Sequence, residues 1–182
     1  MEGDTFEGPR MQFMSRNETG TFLGSHKRGP TPKSLDLEFQ EDGFYQTEFR
    51  IPTESGPLLS LLRHLFNLER VSSWTMIIME SAGIWPSWED RNLTEMMRRA
   101  RGALKQSEYG EGHLFSPGET ADMISFAYVF ANFRYDFRIL DSDREIHAFF
   151  SHDDFFYIQM AEKFADAIVG ILDFTEEWPE KK

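Results

Sequence analysis

The sequence predicts an α+β fold: a mainly antiparallel sheet of about five or six strands carrying about three helices. The approximate order is ββαββββα, with a further helix after the third strand. Three observations lead there. Two runs of period-two alternation flank Glu41-Asp42-Gly43, the pattern of a β-hairpin. A leucine-rich run over 58–68 repeats at helical spacing. The block from Met123 to Leu172, around which the chain is organised, reads strand, strand, strand and then a long helix.

Residues 1–33 are rich in Gly, Pro, Ser and Thr with scattered apolar side chains, and are expected to be irregular. A single domain is expected over 34–182. Leu35, Leu37 and Phe39 alternate with Asp36, Glu38 and Gln40, and Tyr45, Thr47, Phe49 and Ile51 with Gln46, Glu48 and Arg50. Each strand has one apolar and one charged face, as in a sheet wet on one side. Pro52 ends the second strand because it lacks a ladder donor. A helix follows from Ser55 and Pro57, with Leu58, Leu61, Leu62, Leu65, Phe66 and Leu68 on its buried face. Trp74–Glu80 is apolar at both parities and reads as a buried strand.

Ser87 and Asp90 fit a capping box that opens a helix over Glu89–Leu104. Leu93, Met96, Met97, Ala100 and Leu104 form its apolar stripe, and Arg91, Arg98, Arg99, Arg101 and Lys105 fall elsewhere on the wheel. Gln106–Glu119, with several glycines, reads as a long loop. Met123–Ala131 and Phe133–Leu140 are expected as strands, the second with Phe133, Tyr135, Phe137 and Ile139 on one face. Asp141-Ser142-Asp143 makes a turn into a strand over Glu145–Phe150. Ser151 with Asp154 is expected to cap a helix that ends near Asp173, with an acidic tail beyond.

A chain of 182 residues can bury a full core without staples. The absence of cysteine excludes disulfides, thiolate zinc sites and a cysteine nucleophile, and suits a reducing cytoplasm. No secretory signal is recognisable and no apolar run approaches the ~20 residues of a membrane span. A cytoplasmic protein is the expectation. The net charge is −12, and its placement is uneven. Residues 1–33 hold five bases and four acids, whereas Asp141–Lys182 hold 11 acids and four bases. Such a field repels nucleic-acid phosphate and anionic lipid and attracts basic proteins, so neither nucleic acid nor membrane is expected as a partner.

Asp141-Ser142-Asp143 could hold a metal-bound nucleotide sugar only beside a glycine-rich phosphate loop, which is absent, so the turn reading is preferred. Ser151-His152-Asp153-Asp154 would be a metal site only with converging ligands, His113 and His147 being the candidates. Helix capping explains the same residues without a ligand. No Gly-x-Ser-x-Gly elbow and no His-Glu-x-x-His pair occurs, so the pattern points away from an enzyme and implies no metal or cofactor. Trp85-Pro86-Ser87-Trp88 offers two aromatic anchors on a stiff loop.

The function expected is therefore an acidic protein-binding module that covers a basic surface of a partner protein. Its candidate contacts are Asp141, Asp143, Asp153, Asp154, Glu162 and Asp166, gathered on one outward face, with Trp85 or Trp88 as anchor. In size, acidity and fold class such a domain is similar to the immunity proteins that bacteria keep against their own toxins, an analogy carried by no diagnostic motif. The alternative is a small-ligand-binding protein or hydrolase with a pocket between sheet and helices, using His113, His147 and His152 under the 106–119 loop. A homodimer joined through a sheet face or an edge strand is a third reading.

Overall fold

Seven strands form one antiparallel sheet in the order β1-β4-β3-β5-β6-β7-β2. The computed structural model describes residues 11–25, 44–68, 74–81, 88–143 and 145–175. Along the chain these are β1 (Gln12–Met14), α1 (Arg16–Ser25), β2 (Phe44–Arg50), α2 (Ser55–Leu68), β3 (Thr75–Ser81), α3 (Trp88–Ala100), β4 (Glu111–Phe115), α4 (Thr120–Asn132), β5 (Asp136–Asp141), β6 (Ile146–Phe150), β7 (Phe155–Ala161) and α5 (Ala165–Leu172). The α+β class and the antiparallel sheet are as expected; strand count, helix count and order differ. Among the described residues no helix is long and apolar enough to cross a membrane.

Register fixes what lies on each face. Met79, Phe137, Phe150, Phe156 and Phe49 are cross-strand partners in one row. Their phenylalanine rings stack at centroid distances of 4.6, 5.0 and 5.2 Å across four adjacent strands. The next row on this face runs Phe13, His113, Ile77, Ile139, Ala148, Ile158 and Thr47. Helices α2, α4 and α5 cover it. Phe126 and Phe130 of α4 press on His113, Phe115 and Phe137, while Leu61, Leu62, Leu65 and Phe66 of α2 complete the core. The opposite face carries Met76, Leu140, His147 and Gln159 in one row and Ile78, Arg138, Phe149, Tyr157 and Glu48 in the next. Helix α1 lies against its β4–β3 side through Thr19.

Four expectations are corrected. Met123–Ala131 is not a strand but the interior of α4. It packs on both the sheet and α2 and is apolar over most of its surface, with Ser125 on its exposed side, so its helical period is weak. Ser151 does not cap a helix: His152–Asp154 turn the chain from β6 into β7, Asp154 has φ +68°, and Ser151 Oγ accepts from the Asp153 N–H. The stretch expected as that helix is β7, buried on both faces, and α5 begins only at Ala165. Residues 12–25 are not irregular; they add β1 to the sheet edge and form α1, which opens with a Ser15–Glu18 capping box. The 106–119 stretch contains β4, between β1 and β3. The strand expected at 35–40 and the boundary near residue 33 lie outside the described residues. Phe44–Arg50 pairs along its whole length with β7.

Gly112 shows how tightly α1 is seated. A Cβ added there would stand 2.7 Å from Thr19 Oγ1 and 3.1 Å from Met76 Sδ. We expect Gly112→Ala to lift α1 and cost about 1–3 kcal/mol, as overpacking does. The measurement is a lower urea midpoint at unchanged slope, and an unchanged midpoint would show that α1 is not packed here.

Candidate interaction surfaces

The acidic candidates do not share one surface. β6 joins two turns at opposite ends, and the candidates divide between them. At one end, Asp141, Asp143 and Glu145 place three carboxylate oxygens within 4.8 Å of one another. Asp141 is buried and accepts the Ile146 N–H at 3.0 Å, the work of a turn aspartate. The chain leaving β7 reaches the same end, since the Ala161 N–H donates to the Glu145 carbonyl at 2.7 Å and Lys163 pairs with Glu145. Glu162 follows, and then α5, where Asp166, Val169 and Asp173 recur at i, i+3 and i+7 and are all exposed. Val169 is 67% and Leu172 43% exposed. Lys163 is the single base within this described stretch from Glu162 to Thr175.

Asp153 and Asp154 lie at the far end of β6, in the turn to β7. Asp154 faces Arg134 at 3.3 Å and Asp153 lies 3.5 Å from His152 Nε2. His152 Nδ1 is 2.8 Å from Asp136 Oδ1, and that hydrogen bond, with the charges of Asp136 and Asp153, raises the histidine pKa.

The three histidines of the alternative pocket do not converge either. His113 is on the helix-covered face, wholly buried, with Phe13, Phe126 and Phe130 around its ring. Its Nδ1–H donates to the Ile77 carbonyl, and among the described residues its Nε2 has no partner. His147 is on the opposite face, where its Nε2 accepts from Arg138 Nη1 at 3.3 Å. Arg138 also pairs with Glu80 and stacks over Phe149. Burial, and then the nearby arginine, push each of these two histidines down to about 3. Phenylalanine rings fill the space between sheet and helices where the pocket was expected.

Helix α3 is turned opposite to its expected orientation. Arg98, 1% exposed, points inward with Thr94 and Glu95. Its guanidinium pairs with Glu111 of β4 and with Glu95 at 3.1 Å, and lies over the Phe13 ring. Glu95 in turn accepts from the Ser107 N–H at 2.8 Å, and Glu111 from the Glu108 N–H at 3.1 Å. Desolvation raises the Glu111 pKa against the pull of Arg98. With the polar side held inside, the apolar stripe faces out: Met96 is 66% and Leu93 44% exposed, and Leu104, beyond the Gly102 reversal at φ +97°, is almost wholly exposed. Only Met97 of the expected stripe touches the core. Trp85 lies outside the described residues; Trp88 is the first residue of α3.

No signal in the sequence picked out Asp173, Val169 and Leu172 as a surface or Arg98 as an inward anchor. The helical spacing of Asp166, Val169 and Asp173 was legible in principle, but a helix expected to start at Ser151 obscured which face would be outermost. Comparison with known proteins finds no match to the chain among family models, curated proteins or solved structures.

Two outcomes test this geometry. Removing the Arg98 cation leaves two carboxylates buried together, so Arg98→Met should cost about 3–5 kcal/mol, and a second change of Glu111→Leu should recover much of it; equal stability of the single variant and wild type would refute the anchor. His113 and His147 have folded pKa values below their unfolded ones, so the unfolded chain takes up protons first as pH falls. Their stabilisation is present above about 6.5 and is lost on descent towards about 3, at up to about 1.4 kcal/mol per pH unit for each. His152 runs the other way, its contribution being lost as pH rises through its elevated folded pKa. His147→Gln should remove about half of the buried-histidine slope in urea midpoints between pH 6 and 4.

Proposed function

We propose that the protein is an acidic protein-binding module whose docking face is the exposed side of α5, and that it works by covering a basic surface of a partner in the cytoplasm, in the manner of an immunity-type inhibitor. One observation carries the reading. Glu162, Asp166 and Asp173 are exposed along α5 and the turn that leads into it, beside the apolar Val169 and Leu172, with Lys163 close by; the helix starts at the β5–β6 turn end of the sheet and runs to the other end, where Thr175 bonds to Arg50. Exposed apolar side chains ringed by charge of one sign provide an anchor and a steering field together. Within this reading Glu162 and Asp166 keep their expected role and Asp173 joins them. Asp141 acts as a turn residue and Asp143 stays with it in the β5–β6 turn, while Asp154, at the end of the sheet that α5 runs towards, is paired with Arg134.

The test uses the full chain as bait in lysate from its own source. A basic protein should be retained stoichiometrically in low salt and released in high salt. Its association rate should fall at least tenfold when Glu162, Asp166 and Asp173 are all changed to Lys. Retention of the same protein at the same rate by the triple variant, or a low-salt eluate containing no basic protein, would overturn the proposal.

A further inference from the structure

We propose that this chain also associates with itself head to tail, the outward face of α3 in one copy docking on the α5 stripe of the next. The inference shares the α5 stripe with the proposed function; its other half, the α3 face, rests on separate observations.

The two faces are complementary in both chemistry and sign. α3 presents Leu93, Met96 and Ala100 with Arg99 on the same side, all exposed. α5 presents Val169 and Leu172 among Asp166 and Asp173. Among the described side chains the α3 strip has the Arg99 cation beside it and the α5 strip two aspartates, so the signs are opposite. A buried ion network holds α3 in the orientation that turns its strip outward, so the exposure follows from the fold's own anchoring.

The faces cannot meet within one molecule. α3 is anchored to β4 through Glu111 and to β1 through Phe13, at one edge of the sheet. α5 runs into Thr175, whose hydroxyl donates to the Arg50 carbonyl of β2, at the other edge. Six strand spacings of ~4.8 Å put roughly 29 Å between those edges. An interface between two different faces is heterologous, so it either closes into a ring or continues as an open chain. It also explains how copies of a −12 chain could approach one another: local complementarity offsets the overall repulsion.

The experiment is sedimentation equilibrium of the full chain, with two charge-reversed variants. One carries Arg99→Glu; the other carries Asp166→Lys and Asp173→Lys. Wild type should gain mass with concentration in low salt and lose it in high salt. Each variant alone should remain monomeric, because its two faces now carry the same sign. An equimolar mixture of the two should associate again, since reversed α3 matches reversed α5. Met96→Ser and Val169→Ser, which leave charge untouched, should each weaken wild-type association, and unchanged urea midpoints show that the variants are folded.

A wild type that stays monomeric in low salt, a mixture that fails to associate, or a single variant that dimerises like wild type would each overturn the proposal. The α3 variant keeps its acidic stripe, so it separates the two readings. If it is monomeric yet still captures a basic protein, both stand. If wild type self-associates but captures none, only the proposed function fails.

Discussion

Everything in this fold hangs on a ladder of four phenylalanines. Phe137, Phe150, Phe156 and Phe49 occupy one cross-strand row on β5, β6, β7 and β2, with rings nearly parallel between the first three. Cross-strand aromatic pairs stabilise a sheet beyond the area they bury. Here they also fix register, because a one-residue slip of any strand would send its phenylalanine to the opposite face. Phe130 of α4 meets the first rung edge-on, so the same row positions the helical layer. Once β5, β6 and β7 are registered, their turns are assigned to opposite ends, and the distribution of acidic side chains follows.

Much of this was legible where a side-chain period survived. Phe137 and Ile139 face the core and alternate with Arg138; Leu58, Leu61, Leu62 and Leu65 fall on one stripe of α2. Legibility failed where burial blurs the period. α4 packs on the sheet and α2 and is apolar over most of its surface, so its helical period was missed; β7, buried on both faces, was read as helix because Ser151 and Asp154 resemble a capping box ahead of it. The corrective signals were polar and short: Ser116 and Glu119 make a capping box just before α4, as Ser15 and Glu18 do at α1.

The inversion of α3 has a different cause. A helical wheel assigns arginine to water by default, because burying its charge alone is prohibitive. Arg98 escapes that rule because two carboxylates and an aromatic face converge on it from β4, α3's own preceding turn and β1. Phe13 is distant in sequence and Glu111 sits on a strand that was itself read as loop, so only Glu95, three residues before Arg98, is a local partner. Burying a charge network in place of Met96 and Leu93 is not the arrangement that maximises apolar burial. A fold that keeps a polar anchor inside and an apolar strip outside has a surface left for something else to cover.

The same kind of pairing takes up several acidic side chains away from α5. Among the described residues Arg98 is held by Glu95 and Glu111, Arg101 by Asp122, Arg134 by Asp154 and Arg138 by Glu80. Each of these cations is matched near the α3 edge, at the α4–β5 junction or on the sheet's second face. At the α5 end Lys163 alone pairs, with Glu145, while Glu162, Asp166 and Asp173 stand exposed a few residues away. Screening over about 8–10 Å at ordinary salt means that such a local surplus, and not the whole-chain sum, is what an approaching surface meets. The acids that stand exposed along α5 thus make the local surplus on which the proposed docking depends, and Arg99 is exposed on the outer side of α3.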